Sequence, residues 1–246
     1  MAKELTPPRG FAEEQDADAE SFFPGRLPRF LLFSSARAAP RELLVDAPTM
    51  FPRLRWACLL WLAVWLPTYA VYWGFDNFVQ LCDIAAILTV AGVWTGNSLL
   101  LSSQAVGSLA INTLWTINIL WRFFFGVFPL GGSEFMWDTH YPLWVRLLSF
   151  YHVAVPLVLL WALRRTGYDP RGWWLQVAIS VPVLIASRFI SPQRNFNFAV
   201  TDPLLKISFH PAALHLAIIL FCLIAFLYWP AHRLLLRVYP PPAPPN

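Results

Sequence analysis

Charge is what this chain has least of. Only 13% of its 246 residues are Asp, Glu, Lys or Arg, about half the roughly 25% of a soluble domain. With 57% of residues hydrophobic and a mean hydropathy of +0.52, a water-facing surface cannot be covered. Most of the chain must therefore face lipid or other buried helices. Cysteine is nearly as scarce. Cys58, Cys82 and Cys222 lie in three separate apolar segments with no C-x-x-C pair, which argues against a disulfide framework and against a zinc site. Also missing are G-x-S-x-G, H-E-x-x-H, a Walker loop and the N-H-x-x-x-x-D pattern. The best-marked hydrolase, metalloprotease, nucleotide-binding and acyltransferase classes are left without support. No motif calls for a cofactor or a metal. The net charge of +4 does not call for nucleic acid, because arginines at helix ends beside anionic lipid account for it.

What is present is organised in three parts. Residues 1–50 form an N-terminal cytoplasmic or interfacial segment, 51–237 a transmembrane domain, and 238–246 a Pro-rich tail of polyproline character. Within the first part FAEEQDADAE is acidic, and SFFPGRLPRFLLFSSARAAPRELL mixes Phe and Leu with arginine. Its longest apolar run, Phe30 to Phe33, is too short for a signal peptide. The choice is open between a segment lying on the membrane and a disordered tail.

Six apolar runs follow, each near the 17–25 residues a bilayer requires. They are Trp56–Trp73, Phe78–Trp94, Leu99–Phe125, Pro142–Leu163, Trp173–Ile190 and Ile207–Trp229. Tryptophans mark many of their ends, as an interfacial belt does. Counting Lys and Arg near the ends gives nine on one side and five on the other, with Asp76, Glu134, Asp138 and Asp202 on the poorer side. The expectation is an all-α polytopic membrane bundle of six transmembrane helices with both termini cytoplasmic, in a bacterial inner membrane. Two longer outer loops, GVFPLGGSEFMWDTHY and SPQRNFNFAVTDPLLK, have the length and composition of loops that cover a site.

Polar residues inside the runs are the candidate site. At about 1.5 Å per residue, His152 lies roughly 15 Å deep and Cys82 and Asp83 roughly 6–8 Å. Asn118, Arg146 and His215 fall in the same outer half, and the inner halves read as apolar. That one-sidedness predicts a polar cavity opening outward. Each residue also has a plainer reading. His152 is open between a site residue and a core histidine bonded to a carbonyl. Asp83 is open between a functional carboxylate and a partner for Arg146 or Arg122. Cys82 alone is more often an inert thiol. Asn195 and Asn197, in NFNF, either point together into the site or are turn residues. His210 and His215 point roughly 140° apart on a helix, which weakens a multi-histidine metal site.

Four short motifs carry a resemblance. Leu81-Cys82-Asp83, Leu148-Ser149-Phe150-Tyr151-His152, Gly167-Tyr168-Asp169 and Asn195-Phe196-Asn197-Phe198 are similar to motifs of uncharacterised bacterial six-helix membrane proteins. Those carry F-C-D, L-S-x-F-H, G-Y-D and N-x-N-W; here Leu stands for the first Phe and Phe for the last Trp. The likeness spans about residues 70–237. More distantly the chain resembles YwaF-like proteins, transmembrane acyltransferases and the androgen-induced hydrolases of fatty-acid esters. That resemblance implies a Cys82 nucleophile and a His152 base acting on lipid acyl groups. Asn195 or Asn197 would supply oxyanion donors.

Two functions follow as expectations. The first is acyl transfer or hydrolysis on a membrane lipid. The second is a non-catalytic subunit of a larger membrane complex, packed against partner membrane proteins and binding a pigment, haem or lipid, with His152 or His215 either ligating the pigment or haem or merely holding helices together.

Overall fold

The structure, a computed structural model, describes residues 50–129, 131–202 and 205–242. The readings of the acidic stretch, of the arginine-rich segment and of the last tail residues fall outside them. Among the described residues every regular element is helical. In order they are α1 (Leu54–Trp73), a 3-10 turn (Phe75–Val79), α2 (Leu81–Thr95), α3 (Ser98–Phe125), a 3-10 turn (Glu134–Met136), α4 (Leu143–Leu148), α5 (Tyr151–Thr166), α6 (Gly172–Phe189), two 3-10 turns (Pro192–Arg194 and Phe196–Phe198), α7 (Ala212–Cys222), a π segment (Leu223–Tyr228) and α8 (Trp229–Val238). Four stretches are long and apolar enough to cross a membrane: α1, the broken pair α4–α5, α6, and the continuous run α7 to α8. The helix α2 is apolar but has only 15 residues.

The longest helix, α3 with 28 residues, is also polar, and its position explains why. It runs through the middle of the bundle and packs against α2, α5, α6 and the π segment with α8. Every residue from Leu101 to Ser108 is buried. Serines survive there because they return their hydroxyls to their own helix. Ser108 donates to Gln104 O at 2.7 Å and Thr116 to Asn112 O at 2.8 Å. Small residues let neighbours close in. At Gly107 an added Cβ would lie 2.4 Å from the Gln176 amide. Next to it, Ser180 Oγ bonds Gln176 O at 2.9 Å and the Tyr228 hydroxyl at 2.8 Å. Tyr228 belongs to the π segment, which widens the helix just before Pro230, a residue with no N–H to return.

Three boundaries differ from the sequence reading. The run from Phe78 becomes helical only at Leu81, since Phe75–Val79 is a 3-10 turn. The run from Pro142 breaks at Ser149 and Phe150, so His152 is the second residue of α5 rather than the middle of one long helix. The run from Ile207 starts as helix at Ala212, after Pro211, and continues to Val238.

Loops 74–80, 126–142 and 190–211 gather at one end of the bundle. Arg194 reaches Trp73 O at 2.7 Å, and Tyr141 stacks on Trp73 at 5.2 Å. At the other end the connections are short and tightly bound. Tyr168 N–H donates to Pro240 O at 2.9 Å, Asp169 N–H to Ser102 Oγ at 2.8 Å, and the Tyr168 hydroxyl meets His232 Nδ1 at 2.6 Å. Burial pushes the Asp169 carboxyl up, but the Arg171 guanidinium, 2.7 Å away, and the Arg171 N–H together hold it below the usual range. Buried polar groups therefore occupy both ends. The one-sided distribution read from the sequence is corrected: Ser102, Ser103, Gln104, Ser108, Gln176 and Ser180 are all buried in the short-loop half.

Candidate functional site

The site is built on the first turn of α2 at the loop-rich end. Gln80 is the cap residue and Asp83 lies in the first turn, where the helix dipole favours a carboxylate. The orphan N–H of Leu81 is satisfied from far along the chain, by Asn197 Oδ1 at 2.9 Å. Asp83 is 1% exposed. Its Oδ1 accepts the Tyr151 hydroxyl at 2.5 Å and its Oδ2 the Asn77 amide at 2.7 Å. The Cys82 thiol approaches Oδ1 at 3.9 Å.

Asn77 links this buried carboxylate to the surface. Its Oδ1 accepts from Gln80 Nε2 at 2.9 Å and from the Arg194 guanidinium at 3.1 Å. Arg194 also pairs with Asp76 at 3.0 Å and lies over the Phe196 ring at 4.5 Å. The Ser191 hydroxyl donates to Asp76 as well, and with Arg194 it holds the Asp76 carboxyl below the ordinary range. Among the described residues Asp83 has no ion-pair partner of its own. Among the described residues the ion pairs are Asp76–Arg194, Asp138–His140 and Asp169–Arg171. The pairing of Asp83 with Arg146 or Arg122 is corrected: Arg146 donates to Met136 O at 2.8 Å, and Arg122 lies over the Phe128 and Trp137 rings.

His152 is held beside this cluster by packing. Its Nδ1 meets Ser149 O at 2.8 Å, and its ring stacks on Trp115 at 4.3 Å and 13° and lies against Tyr151 at 4.1 Å. Ser149 Oγ bonds the Tyr69 hydroxyl at 2.6 Å. Among the described residues no hydrogen bond joins Cys82 to His152; the polar partner of Cys82 is Asp83. The two asparagines of NFNF are turn residues in the left-handed region, with φ of 49° and 52°, a conformation asparagine tolerates. Asn195 folds back on Val200 N–H, Thr201 N–H and Thr201 O. Asn197 ties the turn to α2 and α6 through Leu81 N–H, Val79 O and Ser187 Oγ. Asn118 is buried and donates to Ser133 Oγ at 3.2 Å. His215 uses both ring nitrogens, toward Phe209 N–H and Phe198 O, which leaves neither for a haem or pigment.

The structure thus brings Cys82 and Asp83 together, sets His152 against Tyr151, and leaves Asn118, Arg146, Asn195 and His215 in separate local contacts. Asn77, Tyr151, Ser149 and Arg194 are the residues the sequence reading did not assign. Tyr151 stood inside a quoted motif, and Arg194 was counted only as a charge. Below Tyr151 a cavity of about 200 Å³ opens between α1, α2 and α5.

Comparison with protein-family models, curated proteins and solved structures gives no match. The resemblance at the four motifs therefore rests on those residues alone.

Proposed function

We propose that the chain is a six-span membrane protein with both termini cytoplasmic, acting at its loop-rich, outer face on the acyl group of a membrane lipid. The observation that carries this reading is a fully buried carboxylate in a lipid-length bundle, beside a thiol and above an apolar cavity. An ionisable group at such depth is costly to keep without a use. In this reading Cys82 is the nucleophile and Asp83, the closest polar partner of its sulfur, receives the thiol proton. Tyr151 and Asn77 hold the carboxylate in place, and His152 shapes the wall through Tyr151. The test is labelling of the purified protein in nanodiscs with a lipid-tailed, thiol-reactive chloroacetamide. Cys82→Ser should lose the label, and Asp83→Asn should slow it at least tenfold. A rate unmoved by Asp83→Asn but abolished by His152→Ala would return the base role to histidine. Label on Cys58 or Cys222 instead would remove the enzymatic reading.

One observation favours the second reading, a non-catalytic subunit of a larger complex. Trp121, Phe123, Phe124, Phe125 and Val127 form an exposed apolar run at the loop-rich end of α3. Large exposed apolar patches mark protein or membrane contacts. Purification in mild detergent decides it: a partner protein retained at fixed stoichiometry, and lost in Phe124→Ser, supports the subunit.

A further inference from the structure

The cavity beneath Tyr151 has a form that says what it holds. Its walls are Ala57, Cys58 and Trp61 of α1, Ala86, Thr89 and Val90 of α2, and Tyr151, Ala154, Val155 and Val158 of α5. On α5 these positions fall at i, i+3, i+4 and i+7, a single stripe along the helix. From Tyr151 to Val158 the stripe runs about 10 Å at 1.5 Å per residue. On α2 the stripe of Ala86, Thr89 and Val90 continues one turn outward to Cys82. The long axis therefore follows the helices and ends at Tyr151, which donates to Asp83, while Cys82 lies one turn beyond the lining on the same stripe of α2. Ala86 and Val155 form a buried back wall, whereas Ala57 and Ala154 are exposed. Side chains that small leave the cleft open sideways between α1 and α5, both of which lie in membrane-length stretches.

We infer that this cleft binds one acyl chain of a membrane lipid, entering laterally from the bilayer, with its carbonyl end at Cys82 and Tyr151. The inference rests on the reading of Cys82, Asp83 and Tyr151 as the working site. A narrow apolar slot open to hydrocarbon and closed by a polar cluster at one end matches a molecule with an apolar tail and one polar end. Ala57, Ala86 and Ala154 are then the specificity-determining positions. Their small size makes the slot, and a larger side chain at any of them shortens or fills it.

The experiment uses the full-length protein in lipid nanodiscs and a fatty acid with a diazirine near its methyl end, photolysed and mapped by peptide mass spectrometry. Saturable adducts are expected on 57–61 and 154–158. Ala154→Trp and Ala57→Trp should each lower the yield at least fivefold. Both positions are exposed, so neither change overfills the core. Val71→Trp, at an exposed site elsewhere on α1, should leave the yield unchanged. Adducts spread evenly over lipid-facing positions, or a yield unmoved by both plugging variants, would overturn the chain site. The two proposals fail separately. Cleft adducts that persist in wild type and in Cys82→Ser, with no reactive-probe label on Cys82, keep the chain site and remove the chemistry. Label on Cys82 without cleft adducts keeps the chemistry and removes the chain site.

Discussion

Asp83 shows what a single side chain must do to stay in such a place. Its two oxygens are met by Tyr151 and Asn77, and Asn77 in turn is held by Arg194. Hydrogen bonds to a charged group contribute about 1.5–3 kcal/mol each. Tyr151→Phe should therefore lower stability by about 2 kcal/mol, read as a fall in the thermal midpoint in detergent. It should do so more than Tyr72→Phe, whose ring packs against Trp73 and Trp144 at the margin. Asp76 gives a pH test nearer the surface. Its carboxyl is held below the ordinary value by Ser191 and Arg194, so the folded state binds the proton less readily than the unfolded chain. The contribution is then fully present above the unfolded value, about 3.9, and is lost as pH falls through the depressed folded value. Asp76→Asn should flatten the acid limb of the stability curve below about pH 4 and leave its slope near neutrality unchanged. Asp83 was legible in the sequence because a carboxylate within an apolar run stands out by itself. Asn77 and Arg194 were not, because their roles exist only once 117 positions of chain separation are folded together.

At the scale of elements, four of the six apolar runs hold stretches long and apolar enough to cross a membrane, but hydropathy misjudged what polarity means inside the runs. Serines and threonines that bond their own helix leave little trace in an average, so the inner half of α3 read as plain hydrocarbon. In the structure that half is the buried axis of the bundle. The break at Ser149 and Phe150 was equally hidden, because no proline or glycine marks it. It is held instead by contacts from elsewhere, Tyr69 to Ser149 Oγ and the His152 ring to Ser149 O. The short-loop end offers a sharper test of how elements are joined. Gly167 sits at φ +74°, and a Cβ there would lie 2.7 Å from Pro242 N and 2.9 Å from Pro240 O. Both the left-handed backbone and the close approach of a second chain segment exclude a side chain. Gly167→Ala should detach 239–242 from the loop and break the Tyr168 N–H bond to Pro240 O. Faster amide exchange at Tyr168, with exchange in α3 unchanged, is the expected outcome. Protection at Tyr168 equal to wild type would show that the clasp has little strength.

For the molecule as a whole, the arrangement of helices solves a problem that composition only poses. A bundle with so few charges must place its polar groups where lipid cannot reach them, and α3 from Leu101 to Ser108 is surrounded accordingly. The four stretches long and apolar enough to cross a membrane leave most of their residues unburied, and α2, only 15 residues long, is extended toward the surface by the 3-10 turn that carries Asp76 and Asn77. At about 1.5 Å per residue α2 alone covers roughly 22 Å, short of the 30 Å hydrocarbon thickness. In a six-span bundle its first turn, with Asp83, would then lie among the polar loop residues it is bonded to. In the proposed six-span topology, loop 126–142 and loop 167–171 lie on opposite faces of the membrane, and the arginine count predicts the second to be cytoplasmic. His140 and Pro170 are exposed in those loops. In a background with Cys58, Cys82 and Cys222 replaced by serine, His140→Cys should react with a membrane-impermeant maleimide on intact cells. Pro170→Cys should react only after permeabilisation. The reverse pattern would invert the orientation, and with it the assignment of the Asp83 cluster to the outer face. Reaction of both from outside would mean that the broken α4–α5 stretch, which alone separates the two loops, does not cross. The polar axis would then have to be shielded by something other than its own bundle.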